Sequence, residues 1–185
     1  LATDIVSIAQ IVSKVLIEKE DVLPEKIKCI HHGFELKSFH SVSENKLQAL
    51  ILKYNKNKNR PIIGVISRWT HLKGIQFIIP AFAKILHEYP NALLVLANAN
   101  GDYEMEIKKE LKQLPYGSYN IISFENDIFT LYKLFDVFVH VPISPSVEAF
   151  GQTYVEALAA GIPSVFTLSG IAHEFIINEK NALVV

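Results

Sequence analysis

Two cationic residues lie close together directly after an apolar run. Arg68 follows the run Ile62–Ser67, and Lys73 comes next to Gly74 where a helical pattern begins. A guanidinium and an ammonium at the start of a helix supply the donors and the positive charge that a diphosphate requires. A surface salt bridge is an equally good interpretation of this spacing taken alone.

A carboxylate and a group of backbone amides follow a second apolar run. Glu148 lies in a proline-rich loop after Val137–Val141, and a helix is predicted over residues 150–160. The first N–H groups of a helix have no intrahelical partner, so those near Gly151 and Gln152 can bind an anion. For Glu148 the plain alternative is an acid in the first turn of a helix, which is common.

Several other chemistries lack their motifs. No Gly-x-Gly-x-x-Gly follows a predicted strand and no P-loop occurs, which argues against dinucleotide and P-loop enzymes. Cys29 is the single cysteine, and the histidines show no metal-ligand spacing. His31 and His32 are interpreted as surface or cleft-wall residues, and His140 as a core histidine within a strand. No metal site is predicted.

These residues are positioned by an alternation of short β-branched runs and helical patterns. The predicted strands are Lys28–Ile30, Ile62–Ser67, Leu93–Ala97, Ile121–Phe124, Val137–Val141, Ser164–Phe166 and Leu183–Val185. The predicted helices are Ile75–His87, Tyr103–Gln113, Ile128–Phe135, Phe150–Ala160 and Ala172–Ile177. This order predicts an α/β fold, a Rossmann-like doubly wound parallel sheet whose ligands bind at the carboxyl ends of the strands.

Two regions differ from this alternation. Residues 1–20 predict a strand, Ile5–Ile8, and a helix, Ile11–Lys19, while residues 41–60 are rich in lysine and asparagine. A lysine run of this kind is most often a solvated helix face and loop. The chain starts without a methionine and stops within an apolar run, so both ends are interpreted as cut.

Length and composition restrict the function further. The 185 residues suit one domain, and half of them are hydrophobic, as expected for parallel strands covered on both faces. No run of about 18 apolar residues predicts a membrane span. The net charge of −1 gives no reason to expect nucleic acid as a partner, and the lone cysteine favours a cytoplasmic location.

Together these pieces resemble the C-terminal, nucleotide-sugar-binding half of a GT-B glycosyltransferase of family 4, the glycosyl transferases group 1 type. The resemblance runs through nearly the whole chain. The motifs that carry it are Glu148-Ala-Phe-Gly-Gln-Thr-Tyr-Val-Glu156, Gly64-Val-Ile-Ser-Arg68-Trp-Thr-His-Leu-Lys73-Gly74, Ile30-His-His-Gly33, Asp136-Val-Phe-Val and Gly170-Ile-Ala-His-Glu174. The resemblance implies that residues 1–24 are a remnant of an acceptor domain and hinge. Residues 25–185 are then the donor domain, truncated at its C-terminus.

The resemblance also implies an activity. The full-length enzyme is expected to move a hexose from a UDP- or GDP-linked sugar to a glycan or lipid acceptor, with retention at the anomeric carbon and without a metal or other cofactor. Such an enzyme would serve polysaccharide biosynthesis in the cytoplasm or at the cytoplasmic face of the membrane. Because acceptor residues belong to the other half, the isolated chain is expected to be inactive.

Roles of single residues follow from the same resemblance. Arg68 and Lys73 are expected to hold the donor diphosphate, and Glu156 to accept hydrogen bonds from the ribose. Glu148 is the expected catalytic residue beside the sugar.

Backbone contacts complete the expected donor site. Phe150, Gly151 and Gln152 are expected to present backbone groups to sugar and phosphate, and the loop at Phe124 and Glu125 to contact the base.

The chain departs from the family pattern in three places. His31 and His32 replace the usual Pro-Asn before Gly33, the loop Asn98–Gly101 lacks a glycine pair, and a single glycine stands at Gly170. Two alternative functions remain open: a GT-B nucleotide-sugar epimerase, and a non-catalytic glycosyltransferase-like subunit that binds a nucleotide or a partner.

Overall fold

The computed structural model describes residues 2–185, whose centre is a six-stranded parallel sheet. Its strands are β3 (Ile62–Ile66), β4 (Leu93–Ala97), β5 (Tyr119–Ile122), β6 (Val137–His140), β7 (Ser164–Phe166) and β8 (Leu183–Val184). Their spatial order is β5-β4-β3-β6-β7-β8. The chain therefore builds outward from β3 in one direction and then returns to β6 and builds in the other. The predicted doubly wound α/β sheet is confirmed.

Helices pack on the two faces of this sheet. The helices of residues 2–185 are α1 (Gln10–Lys19), α2 (Lys37–His40), α3 (Glu44–Tyr54), α4 (Ile75–Glu88), α5 (Glu104–Leu111), α6 (Ile128–Leu134), α7 (Gln152–Ala159) and α8 (Ala172–Phe175). Of these, α1 contacts the N-terminal strands described below. The apolar residues of α4 and α5 pack on one face with Trp69. Those of α3, α6 and α7 form the core on the other face. Among residues 2–185 no helix is long and apolar enough to cross a membrane.

The N-terminal strands form a second sheet of two strands. β1 (Ile5–Ser7) pairs in parallel with β2 (Ile27–Cys29), with Ile5 opposite Ile27. The second of these strands was expected to belong to the main sheet, but the structure pairs it only with β1. The boundary between residues 24 and 25 stays a prediction.

The lysine-rich segment contains a full helix. Ser43 caps α3 by accepting a hydrogen bond from the backbone N–H of Lys46 at 3.4 Å. Leu50 is buried, and Leu47 and Ile51 pack against the same core. The exposed face carries the lysines, as predicted for a solvated helix face, while the apolar residues recur at helical spacing on the other face.

Two element ends differ from the predictions where they affect the site. Helix α7 begins at Gln152 instead of Phe150, because Gly151 adopts the left-handed conformation with φ of 89° and so interrupts the helix. Strand β5 ends at Ile122, so Phe124 lies in the loop beyond the sheet.

Candidate functional site

A cleft lies at the carboxyl ends of β3 and β6, where the strand order reverses. Its volume is about 370 Å³. Its walls are formed by Ile8, His32, Ile66, Ser67, Arg68, Lys73, Asn98, His140, Glu148, Ala149, Phe150, Gly151, Gln152 and Thr153. Adjacent strands whose connections run in opposite directions leave a crevice between them, which is the usual ligand position in open parallel sheets. Six of the nine predicted site residues line it.

The segment after β3 places the two predicted cations. Buried Trp69 anchors it, donating its backbone N–H to the carbonyl of Asn100 at 2.7 Å. Gly74 has a φ of 73°, and a Cβ there would lie 2.0 Å from the carbonyl oxygen of Val141. The turn that carries Lys73 therefore packs directly on the end of β6. Arg68 is exposed, and it forms no ion pair with any residue between 2 and 185.

The carboxylate of Glu148 is held by two donors. Its Oε1 accepts a hydrogen bond from Lys73 Nζ at 2.6 Å and lies 2.9 Å from His140 Nε2. Within residues 2–185 nothing donates to Oε2, so this oxygen is available to a ligand in the cleft. The backbone N–H of Glu148 donates to Ser169 Oγ at 3.0 Å. The two residues that the sequence assigned to different parts of the donor thus touch each other.

The surroundings keep Glu148 ionised. Its side chain is only 14% exposed, and this burial by itself favours the neutral acid. Hydrogen bonds from His140 and Lys73, together with the positive charge of Lys73, outweigh burial and lower the pKa of Glu148 from 4.5 to about 2. At neutral pH the cleft therefore contains a carboxylate, which can orient a hydroxyl group by accepting a hydrogen bond from it.

The start of α7 supplies backbone donors. The N–H groups of Gly151, Gln152 and Thr153 have no acceptor within residues 2–185. They face the cleft that Arg68 also lines. Phe150 is buried, and its carbonyl oxygen accepts a hydrogen bond from the N–H of Ile171 at 2.8 Å. Phe150 thus anchors the loop, and the amides beyond it are free to bind an anion.

Glu156 lies one turn after Gln152 on the same face of α7. It is outside the cleft lining, and its Oε2 accepts a hydrogen bond from Tyr132 at 2.9 Å. Burial raises the pKa of Glu156 above 4.5, and the hydrogen bond from Tyr132 partly opposes this shift. Its expected contact with the ribose stays a prediction.

The loop at Phe124 and Glu125 is also outside the cleft lining. Glu125 accepts hydrogen bonds from Lys53 Nζ at 2.8 Å and from the hydroxyl of Tyr54 at 2.6 Å. Burial opposes ionisation, but these donors lower the pKa of Glu125 to about 2. Its carboxylate therefore ties α3 to the loop, while Phe124 is exposed. The expected contact with a base stays a prediction.

Two histidines belong to the site: His32 lies in the cleft wall, one of the positions expected for it, whereas His140 was underestimated from the sequence as a core residue. His140 is only 3% exposed, as a core residue would be, but its Nε2 contacts Glu148 and its Nδ1 has no partner in the described part of the chain. His32 lines the cleft with its ring edge-on to Phe150, 4.8 Å between centroids. The position of His140 at the carboxyl end of a predicted strand was the signal that could have revealed it.

Known proteins resemble the chain in sequence. Residues 48–185 match the family described as glycosyl transferases group 1. The Bacillus subtilis protein YtcC is 27% identical over 98% of the chain, and the alpha-monoglucosyldiacylglycerol synthase of Acholeplasma laidlawii is 26% identical over 83%. The chain covers 47% of the first and 39% of the second, so it spans about half the length of these relatives or less.

Solved structures share its fold. The crystal structure of Anabaena Alr3699/HepE in complex with UDP and glucose has a TM-score of 0.88 at 24% identity, covering all of this chain and 50% of that one. A glycosyltransferase from Rickettsia africae has a TM-score of 0.85 at 27% identity, covering 99% of this chain and 49% of that one. The chain belongs to the glycosyl transferases group 1 family. Its fold is the C-terminal, Rossmann-like half of the GT-B architecture.

Proposed function

We propose that the chain is the donor-binding half of an enzyme that transfers a sugar from a nucleoside diphosphate sugar to a glycan or lipid acceptor. The observation that carries this proposal is the composition of the cleft. Arg68, Lys73 and the amides at the start of α7 converge beside Oε2 of Glu148, an oxygen to which no residue from 2 to 185 donates. Cations and amides suit a diphosphate, and a carboxylate suits the hydroxyls of a sugar.

The donor is proposed to lie with its diphosphate between Arg68 and the amides of Gly151 and Gln152. Its sugar then lies at Oε2 of Glu148, and its ribose extends toward Glu156. A protein of the same fold, Alr3699/HepE, has been crystallised with UDP and glucose, and this supports UDP-glucose as a first probe. The loop at Glu125 is proposed to contact the base through its backbone, because its carboxylate is already engaged by Lys53.

The proposed reaction breaks the bond between the anomeric carbon and the diphosphate, with retention of configuration. Negative charge grows on the leaving oxygen as this bond breaks, and positive charge grows on the sugar. Arg68, Lys73 and the α7 amides stabilise the leaving diphosphate, and the carboxylate of Glu148 orients the sugar. We propose that these groups serve where other transferases use a divalent cation, so that no metal is needed.

The rest of the proposed enzyme lies outside this chain. Relatives in the family are about twice as long, and the acceptor is proposed to bind to their other half. A lipid acceptor is supported by the name of the Acholeplasma relative, which denotes a glucosyl lipid. The cytoplasm, or the cytoplasmic face of the membrane, is proposed as the place of the reaction. The isolated chain is expected to bind the donor and to transfer no sugar.

Membership of the glycosyl transferases group 1 family favours transfer over epimerisation. It also favours transfer over a subunit that binds without turnover, since such a subunit has no need to keep both Arg68 and Lys73. Transferase activity of an enzyme that contains this chain is the distinguishing measurement.

The donor site can be tested by calorimetric titration of this chain with UDP, GDP, ADP, UDP-glucose, GDP-mannose and ADP-glucose. Arg68→Ala and Lys73→Ala are each expected to weaken binding of the preferred diphosphate by about tenfold or more, because each removes a charge-assisted contact. Uridine, guanosine or adenosine alone should bind as before.

Arg60→Ala is the matched control. Arg60 is the other arginine, and it pairs with Asp136 at 2.7 Å. Both residues lie at the amino ends of β3 and β6, whereas the cleft is at the carboxyl ends of these strands. Its loss should leave diphosphate affinity unchanged. If none of the six nucleotides binds the wild-type chain, or if Arg60→Ala weakens binding as much as Arg68→Ala does, the proposed donor site is wrong.

A further inference from the structure

Of the two donors to Glu148, His140 is held more rigidly than Lys73. It is the last residue of β6, and its carbonyl oxygen accepts a hydrogen bond from the N–H of Thr167 at 3.2 Å. Its ring packs edge-on against Tyr154, with 4.8 Å between centroids. The buried imidazole is therefore held both by a central strand and by an aromatic neighbour.

The hydrogen bonding of this ring determines where its proton lies. Nε2 is 2.9 Å from Oε1 of Glu148, and buried Nδ1 has no partner among residues 2–185. A proton on Nδ1 would leave a buried N–H unpaired, which is costly. A ring that carries its proton on Nε2 avoids this cost and donates to Glu148.

Lys73 donates to the same oxygen of Glu148, but its side chain can turn away from the carboxylate. It has a flexible stem and an ammonium with three N–H groups, and it lines the cleft in which the diphosphate is proposed to bind. A bound diphosphate attracts this ammonium away from the carboxylate. When Lys73 turns to the phosphate, His140 is the only donor that remains on Glu148 within the described chain.

We propose that His140 is a positioning residue for the sugar subsite: it holds Oε1 of Glu148 through Nε2–H, so that Oε2 stays directed at the sugar after Lys73 has turned to the diphosphate. This inference rests on the proposed function and assigns a role that the sequence motifs do not include. It predicts that loss of the imidazole donor affects recognition of the sugar and spares recognition of the nucleoside diphosphate.

The experiment compares His140→Leu, which removes the donor, with His140→Gln, whose side-chain amide can donate from nearly the same place. Both variants and the wild-type chain are titrated with UDP and with UDP-glucose, or with the pair that the wild type prefers. The readout is the ratio of the Kd for the nucleotide sugar to the Kd for the nucleotide. His140→Leu is expected to raise this ratio by about tenfold, the value of one hydrogen bond to a charged group, and His140→Gln to leave it close to wild type.

A double variant tests whether His140 acts through Glu148. Glu148→Gln alone should raise the ratio, and adding His140→Leu should raise it little further, because two residues in one hydrogen-bonded unit are not additive. Additive effects would show that His140 acts elsewhere.

The possible results distinguish failure of the role proposed for His140 from failure of the proposed donor-binding function. If the wild-type chain binds no nucleotide, the proposed function is wrong and the inference is wrong with it. If the wild type binds and His140→Leu keeps the wild-type ratio, only the inference is wrong. Equal weakening of both ligands by His140→Leu and by His140→Gln, with a lowered Tm, would show that His140 is merely structural and would also overturn the inference.

Discussion

Replacing Glu148 by Gln is expected to tighten the binding of a nucleoside diphosphate to this chain. In the structure Lys73 is engaged by Glu148 before any donor arrives, and both side chains are about 15% exposed. A diphosphate must therefore compete with the carboxylate for the ammonium. On the motifs alone, where the two residues serve separate parts of the donor, the same substitution is expected to leave diphosphate affinity nearly unchanged.

The magnitude follows from the contact that is lost. Lys73 Nζ lies 2.6 Å from Oε1 of Glu148, which is a charge-assisted hydrogen bond in a shielded setting. Such a bond is worth about 1.5–3 kcal/mol, and the uncharged oxygen of a glutamine can offer the ammonium only the lower end of this range. The difference of about 1 kcal/mol no longer has to be overcome when UDP binds. The Kd for UDP should therefore fall by about fivefold.

The assay is calorimetric titration with UDP at neutral pH and fixed ionic strength, with circular dichroism to check the fold. Asp136→Asn is the control, since it removes one negative charge from an ion-paired acid at the amino end of β6, away from the cleft. It should leave the Kd for UDP unchanged. An equal or weaker affinity in a folded Glu148→Gln variant would show that the ion pair does not compete with the diphosphate, and the reasoning would be refuted.

Three further predictions concern other parts of the molecule. Gly74→Ala should lower the free energy of unfolding by about 2–4 kcal/mol in urea titrations, because its Cβ would clash with the carbonyl oxygen of Val141. Gly161→Ala, with the same φ of 73° but open space around its Cβ, should cost only the strain of about 1–2 kcal/mol. Equal costs would contradict the clash at Gly74. Glu125→Gln should lower the Tm at pH 7, because the pKa of Glu125 falls from 4.5 to about 2 on folding. The difference in Tm from wild type should therefore vanish as the pH drops from about 4.5 to about 2. A difference that persists at pH 2 would exclude ionisation as its cause. Glu156→Gln should weaken UDP and UDP-glucose alike, by about tenfold in titrations, if its carboxylate binds the ribose; an effect on the nucleotide sugar alone would reverse the roles of the two glutamates.

The fold was predictable from the sequence because local patterns carry it. Apolar β-branched runs such as Leu93–Ala97 are buried on both sides in the structure, as continuous runs in parallel sheets must be. Helix α4 begins where Gly74 ends the preceding turn, and α6 begins at the cap Asp127. The weaker predictions were the ends of elements. Helix α7 starts two residues late because the left-handed Gly151 depends on packing against Tyr154, which no local pattern reveals.

The types of residue in the site were also readable from the sequence. The positions of Arg68 and Lys73 after one strand, and of Glu148 after another, follow from the rule that ligands bind at the carboxyl ends of parallel strands. The alternatives could not be separated there: a surface salt bridge or a ligand contact for Arg68 and Lys73, and a first-turn acid or a ligand contact for Glu148. The choice depends on what lies across the cleft.

Only the tertiary structure decided which of these residues touch. Lys73 and Glu148 are 75 positions apart, and they meet because β3 and β6 are neighbours in the sheet although two other strands come between them in the chain. His140 and Glu148 are only eight positions apart, and the loop after β6 returns Glu148 to the ring of His140, which the sequence suggested was a core histidine. Glu125 instead contacts Lys53 of α3, outside the cleft lining. A sequence records what each strand end carries, whereas the order of the strands, set by how the helices pack on both faces, determines which ends share a cleft.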